Sequence, residues 1–156
     1  MNEKHSKIQY QQELDPYAEG IVSKKLHIFK DPILAKAIGI LTNAAKGRNM
    51  VLIPNSSRAV LYNEVHELVC TTENRKQGET VNNVAYLAFI VFEESGVIAV
   101  DDILITDGVE MGRVIGFNEI HMPNHINIVI QTHELTTGIQ AGWQPGTPIC
   151  FKRPPS

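Results

Sequence analysis

Residues 84–92 read VAYLAFIVF, an unbroken apolar run bounded by asparagine and glutamate. A strand with one face in water would alternate apolar and polar residues, whereas this run is apolar at every position. A buried helix is the competing interpretation, but the β-branched and aromatic content favours a strand. We therefore predict a central strand that is covered on both faces, by the interior of a barrel on one side and by a helix on the other.

Shorter strand-like runs lie on both sides of this segment, each bounded by polar residues, glycine or proline. They are residues 49–53, 58–62, 65–72, 97–100, 103–106, 109–117, 126–132 and 147–152. The dipeptide Asp107-Gly108 between two of these runs predicts a tight hairpin, because both central residues of a type I′ turn need positive φ. Gly112 marks a bulge or a close crossing. Strands without alternating helices predict a small, mostly antiparallel β-barrel.

One segment, DPILAKAIGILTNAAKG (residues 31–47), has the pattern of a helix. Asp31 can cap the first amides, Pro32 suits the first helical position and Gly47 suits the left-handed residue after the end. The apolar residues between them recur at steps of three and four: Ile33, Leu34, Ala37, Ile38, Leu41 and Ala45. Such a stripe predicts one α-helix, over about residues 32–46, that covers the barrel.

The length of 156 residues suits a single core. The first twenty residues are rich in Gln, Glu and Lys and are expected to form a flexible tail. A strand is predicted from Ile21, in the segment IVSKKLHIF. The expected organisation is therefore a tail over residues 1–20, one β-barrel domain over 21–152 and a short C-terminal tail over 153–156.

Composition narrows the classes of partner. A net charge of −3 provides no broad basic field, so neither nucleic acid nor an anionic membrane is expected as a partner. The start of the chain is too polar for a secretory signal, and no apolar run is long enough to span a bilayer. We expect a cytoplasmic protein in which Cys70 and Cys150 are buried, reduced thiols with a packing role.

The segment VDDILITDGVEMGRVIGFNEIHMPNHINIVI, from Val100 to Ile130, carries two resemblances. It resembles small bacterial β-barrel proteins with a comparable glycine, phenylalanine and PNHxN segment, a likeness that implies a barrel and no particular activity. In layout it is also similar to the glucitol/sorbitol-specific IIA component of the sugar phosphotransferase system. That likeness implies a phosphocarrier whose phosphorylated histidine would correspond to His66, although the paired histidines of that family are reduced here to one.

The segment HMPNHIN (residues 121–127) concentrates hydrogen-bonding side chains. Pro123 disfavours a helix, so we expect a loop that enters a strand. Alternation along that strand places His125, Asn127 and Val129 on one face and Ile126, Ile128 and Ile130 on the other. The isoleucines should face the core, which leaves the polar pair for the opposite face or a cavity.

Three interpretations of this loop remain open. In the first, His121, Asn124, His125 and Asn127 bind a small molecule at a barrel mouth, with Trp143 as a wall of the site. In the second, His121 and His125 bind a divalent metal with one further ligand. Candidates for that ligand are Glu119, His133 and Glu134. In the third, the loop is a capped turn in which Asn124 forms an Asx turn and His125 bonds a neighbouring loop.

The predicted function is therefore that of a β-barrel that either binds a small ligand or acts on one as an enzyme. The alternative is a structural module whose loop and apolar strand form a homo-oligomer interface. Trp143, alone in a long glycine-bearing connection, suits either a pocket wall or oligomer contact, or a hydrophobic plug over the barrel end. His66 suits an ordinary strand residue or, through the second resemblance, a phosphocarrier histidine.

Overall fold

The computed structural model describes residues 28–155, which contain twelve strands and, within that range, no helix. The strands are β1 (Ile33–Ile40), β2 (Ala44–Ala45), β3 (Met50–Val51), β4 (Ser57–Val60), β5 (Val65–Thr71), β6 (Thr80–Val81), β7 (Val84–Phe92), β8 (Gly96–Ala99), β9 (Ile103–Thr106), β10 (Val109–Asn118), β11 (Asn127–Thr132) and β12 (Pro148–Lys152). No helix in this part of the chain could cross a membrane.

Seven of these strands close into a barrel. The order around it is β1, β12, β9, β10, β11, β5 and β7, and β7 pairs again with β1. Every neighbouring pair in the barrel is antiparallel except β5 and β11, which run parallel. The sequence analysis predicted a mainly β barrel, and this is confirmed. The parallel pair matters for the site, since it places Glu67 beside Asn127.

The barrel has an apolar interior and a second, smaller core on its outside. Phe92, Phe117 and Phe151 are among the fully buried side chains of the main core. The outer core joins Val69 and Val129 to side chains from the β3–β6 ribbon, which covers this part of the barrel wall. Outward residues of β5 and β11 are therefore shielded from water without a helix.

The central strand predicted over residues 84–92 is confirmed, because β7 spans Val84–Phe92 and pairs with both β1 and β5. The helix predicted to cover its second face is absent from the described residues. The turn at Asp107-Gly108 is also confirmed. Both residues have positive φ, 50° and 76°, and they join β9 to β10. The register of β10 shifts at Gly112, where a Cβ atom would clash with the carbonyl oxygen of Gln131. Gly112 is therefore both a bulge and a close crossing.

The α-helix predicted over residues 32–46 is wrong. Residues 33–40 form β1, and their burial alternates, with Ile33, Ala35 and Ala37 buried. The segment ILAKAIGI fits a two-residue period as well as a helical one, so pairing with β12 and β7 decides its conformation. Gly47 has the expected positive φ of 64°, but it lies in a turn after β2.

The ends of the described chain converge on one buried carboxylate. Asp102 is fully buried and bonds Lys30 at 2.9 Å and Arg153 at 2.9 Å. Arg153, which was assigned to the C-terminal tail, is thus anchored to the barrel. The predicted tail over residues 1–20 and most of the strand predicted from Ile21 lie outside the described residues, and residues 28 and 29 are not in a strand.

Candidate metal centre

A row of side chains crosses four barrel strands on the outer face. Asn118 of β10 pairs with Asn127 of β11, Asn127 pairs with Glu67 of β5, and Glu67 pairs with Phe89 of β7. Because Ile126, Ile128 and Ile130 lie in the main core while Val129 lies in the outer one, the predicted division of β11 into two faces is confirmed. Asn127 and Glu67 are buried on the outer side.

The loop between β10 and β11 bends over this row. The Asn118 side chain anchors its start: its Nδ2 atom donates to the carbonyl oxygen of Val51 at 2.8 Å, and its Oδ1 atom accepts from the Ile120 amide at 3.2 Å. The same Oδ1 atom accepts from Nδ2 of Asn127 at 3.1 Å. Asn118 therefore ties together the loop, the β3 ribbon and the neighbouring strand.

The loop then turns at Pro123, whose peptide bond with Met122 is cis. The carbonyl oxygen of His121 accepts from the amides of Asn124 at 2.9 Å and of His125 at 3.4 Å. This turn stacks the two imidazole rings, whose centroids are 4.9 Å apart. The four-residue spacing thus brings the two histidines together although Pro123 stands between them.

His125 reaches inward to Glu67. Its Nε2 atom lies 4.0 Å from Oε1 of Glu67, and the Phe89 ring meets the imidazole edge to face, with centroids 5.1 Å apart. At that distance there is no hydrogen bond. Both atoms are buried and have no hydrogen-bond partner, and Oδ1 of Asn127 is in the same condition. A buried acceptor without a hydrogen bond costs about 1–3 kcal/mol, so a cation or a hydrogen-bond donor placed between these atoms would be stabilising.

The pKa values indicate that this pair is not a salt bridge. Burial lowers the pKa of His125, and the nearby His121 and His66 lower it further. Burial raises the pKa of Glu67, an effect that the Arg48 guanidinium opposes. His125 is consequently neutral at physiological pH, and the Glu67 carboxylate has no cation in contact to offset its desolvation.

The second nitrogen of His125 is held by Asn124, with 2.7 Å between Nδ1 of the ring and the side-chain amide nitrogen. The two ends of an amide are assigned from their neighbours, so the amide oxygen can occupy the same place. With the oxygen there, Nδ1 carries the proton and Nε2 presents its lone pair to the space beside Glu67. Metal-binding histidines are commonly oriented by such a contact.

Glu67, His121 and His125 together form a possible ligand set for a metal ion. One ligand atom from each lies within 4.8 Å of the other two, and His121 is the exposed member. Both histidines were predicted as ligands, but Glu67, which lies between His66 and Leu68 in a strand, was not. The residues predicted from the sequence as the third ligand, Glu119, His133 and Glu134, are exposed and do not belong to this group.

Two other residues singled out by the sequence occupy different surroundings. Trp143 packs in the main core and is 6% exposed, as expected of a plug over the barrel, and it is not among the ring and polar contacts of His121 and His125. His66 faces the interior. Its Nδ1 atom accepts from the Ile126 amide at 3.0 Å and its Nε2 atom lies 2.7 Å from Glu64. Neither nitrogen of His66 is free to take a phosphoryl group.

Comparison with known proteins leaves the chemistry to be argued from this geometry. No curated protein and no solved structure matches the chain. One family model matches residues 27–152, which includes the whole barrel and every residue of the candidate metal centre. The match covers most of the 156 residues, and the chain belongs to the family of unknown function DUF6917.

Proposed function

We propose that this barrel binds a divalent transition-metal ion through Glu67, His121 and His125. The observation that carries the proposal is the pair of buried atoms, Oε1 of Glu67 and Nε2 of His125, which face each other without a hydrogen bond. A cation between them would stabilise a carboxylate that is otherwise buried without compensation. It would also use the lone pair of a neutral imidazole.

The spacing suits an ion of this kind. Two ligand atoms that each lie about 2.1 Å from one ion are about 3.4 Å apart at a tetrahedral angle. The present separation of 4.0 Å therefore closes by a small side-chain rotation. His121 is exposed and stacks on His125, so it can approach without disturbing the core.

The ligand types limit the choice of metal. Two imidazoles and one carboxylate suit Zn²⁺, Fe²⁺ or Mn²⁺ better than the hard cations Ca²⁺ and Mg²⁺, which prefer oxygen ligands. Three protein ligands leave at least one coordination position for water or a small molecule, which is the arrangement of reactive rather than purely structural sites. The unpartnered Oδ1 atom of Asn127 could accept a hydrogen bond from a group held there.

The proposed function is therefore a metal-dependent barrel that binds, and with an activated water could transform, a small ligand. We also propose that the protein is cytoplasmic, because its two cysteines are free thiols, as expected in a reducing compartment. Cys70 is buried as expected, whereas Cys150 is only partly so. The loop between β10 and β11 (residues 119–126), which we call the histidine loop, exposes Ile120 and Met122. These side chains favour a second function, contact between copies of the chain, and sedimentation of the protein is the test.

Metal binding is tested by stripping the protein with a chelator, dialysing it against Zn²⁺, Fe²⁺ or Mn²⁺ and measuring bound metal by elemental analysis. We expect one equivalent in the wild type and at least about tenfold weaker binding in Glu67→Gln and His125→Ala, since even the partners of metal ligands contribute about that much. Glu134→Gln and His133→Ala are matched controls, because both residues are exposed.

Equal metal content in wild type and Glu67→Gln would refute the proposal. Loss of binding in the two control variants to the same degree would refute it as well, because adventitious surface sites would then account for the metal. Circular dichroism of each variant establishes that the barrel is folded in every sample compared.

A further inference from the structure

A second depression lies on the outside of the barrel, apart from the histidines. It has a volume of about 430 Å³, within the size range of small-molecule sites. Its lining includes Arg75, Lys76, Gln77, Asp101, Arg113 and Ile115. We call it the basic cleft. Its walls come from the loop before β6, the turn between β8 and β9, and β10.

The basic cleft has an excess of positive charge. Arg75, Lys76 and Arg113 line it, against the single carboxylate of Asp101. Salt bridges with Glu73 and Asp101 balance Arg75 and Arg113, so the net excess at the cleft is the charge of Lys76. Lys76 is exposed, and no salt bridge of its ammonium group is formed within the described residues. An anion entering the cleft would meet an exposed ammonium group and two guanidinium groups that already pair with carboxylates.

The guanidinium groups are held in place before any ligand arrives. Arg113 bonds Asp101, donates to Oε1 of Gln131 at 3.0 Å and reaches Oδ1 of Asn74 at 3.3 Å. Arg75 donates twice to Oε1 of Glu73, at 3.0 and 3.1 Å. Each guanidinium has five N–H donors, so both retain donors for a ligand. Fixed donors lose less entropy on binding than freely rotating ones.

Gln77 provides independent evidence for a missing partner. Its Nε2 atom is buried and donates to no acceptor. Ile115, almost fully buried in the outer core, lies at the floor of the same cleft. An unused amide donor beside cationic groups calls for an acceptor, and a carboxylate or phosphate oxygen carries both the charge and the lone pairs required.

We infer that the basic cleft is a binding site for a small molecule that carries a phosphate or carboxylate group. Arg113 and Lys76 neutralise the anionic group, and Gln77 donates a hydrogen bond to one of its oxygens. This site shares no residue with the metal ligands, so it does not depend on the proposed metal.

Binding is measured by isothermal titration calorimetry of the full chain with inorganic phosphate and, separately, with citrate. A chelator is present throughout so that neither anion can bind through a metal ion. We expect saturable binding of one anion per chain, weakened about tenfold or more in Lys76→Gln and in Gln77→Glu, since each loses a charge-assisted or donated hydrogen bond. Lys46→Gln, which removes an exposed positive charge outside the cleft, is the matched control.

Stronger binding of phosphate identifies a phosphate-bearing ligand, and stronger binding of citrate identifies a polycarboxylate. Either result, with the expected order of variants, supports the basic cleft. The inference is overturned if both anions fail to saturate at millimolar concentrations. It is also overturned if Lys46→Gln weakens binding as much as Lys76→Gln does, because the effect would then reflect net charge.

Discussion

Replacement of Glu67 by glutamine should stabilise the metal-free protein at neutral pH. The Glu67 side chain is 11% exposed, and its Oε1 atom has no hydrogen-bond partner. A glutamine amide has nearly the same shape, and its NH₂ group can donate to Oδ1 of Asn127, a buried acceptor without a partner, or to Nε2 of His125 when Nδ1 of that ring carries the proton. One substitution thus removes a buried charge and supplies a donor.

The size of the effect follows from the cost of one unsatisfied buried acceptor, about 1–3 kcal/mol. For a chain of this length, each 1 kcal/mol changes the melting temperature by about 2–4 °C. The effect also has a predictable pH dependence. Since burial raises the pKa of Glu67, the native state binds its proton more tightly than the unfolded state does. The penalty is therefore present at neutral pH and disappears as the pH falls below the carboxyl pKa of the unfolded chain.

Urea unfolding of wild type and Glu67→Gln, in chelator at neutral and at acidic pH, measures this difference. We expect Glu67→Gln to be more stable at neutral pH and the two proteins to converge in acid. Glu134→Gln, at an exposed position, should match the wild type at both pH values. A wild type that is more stable than Glu67→Gln at neutral pH without metal would show that the carboxylate already has a partner, and the argument for a cation would fail.

Three further changes test the fold and the loop. Glu73→Gln should reduce stability at neutral pH, and the loss should disappear in acid. Burial raises the pKa of Glu73, but hydrogen bonds from backbone amides and from Arg75 outweigh burial and hold the pKa below its usual value. Urea unfolding as a function of pH measures this difference. Gly112→Ala should cost about 2 kcal/mol by overpacking, visible as a lower melting temperature. Asn118→Ala should cost about 1–2 kcal/mol and speed hydrogen exchange in residues 119–126, whereas unchanged exchange there would contradict its anchoring role.

The sequence predicted best where one local rule determines the structure. A type I′ turn needs positive φ at both central residues, a conformation that Asp and Gly adopt readily. Asp107 and Gly108 have it, and they form the turn. The run from Val84 to Phe92 is apolar on both faces, and only a strand covered twice satisfies it. The alternation after His125 likewise separates Ile128 from Asn127 correctly.

The helix prediction was wrong because its sequence signals are compatible with both a helix and a strand. Alternate residues of ILAKAIGI are buried, yet the same segment also shows helical spacing. Pro32 fits the start of a strand as well as the start of a helix, because its fixed φ suits both. The choice is made by β7 and β12, which need β1 to close the barrel. A pairing over such a sequence distance leaves no trace in the segment itself.

The candidate metal centre could be predicted only in part, because one of its residues is brought in by pairing with a strand distant in sequence. The four-residue spacing marks His121 and His125 as neighbours, and the loop stacks them. Glu67 is more than fifty residues away, and it joins them through the one parallel pairing in the barrel. Its signal is one acid beside His66 in a strand that is otherwise mostly apolar, which becomes informative once that strand is known to be buried.

Both proposed sites lie outside the barrel, and the packing explains why. Phe92, Phe117 and Phe151 fill the interior, so no ligand can enter there without unfolding the wall. The sequence analysis placed a ligand at the barrel mouth, but the polar atoms without partners near His125 face outward, under the histidine loop. On this outer face, Val69 and Val129 form a rigid apolar floor beside Glu67. A metal ion bound as proposed would contact only the loop between β10 and β11 and an outward side chain of β5, so it would not disturb the packed interior of the barrel.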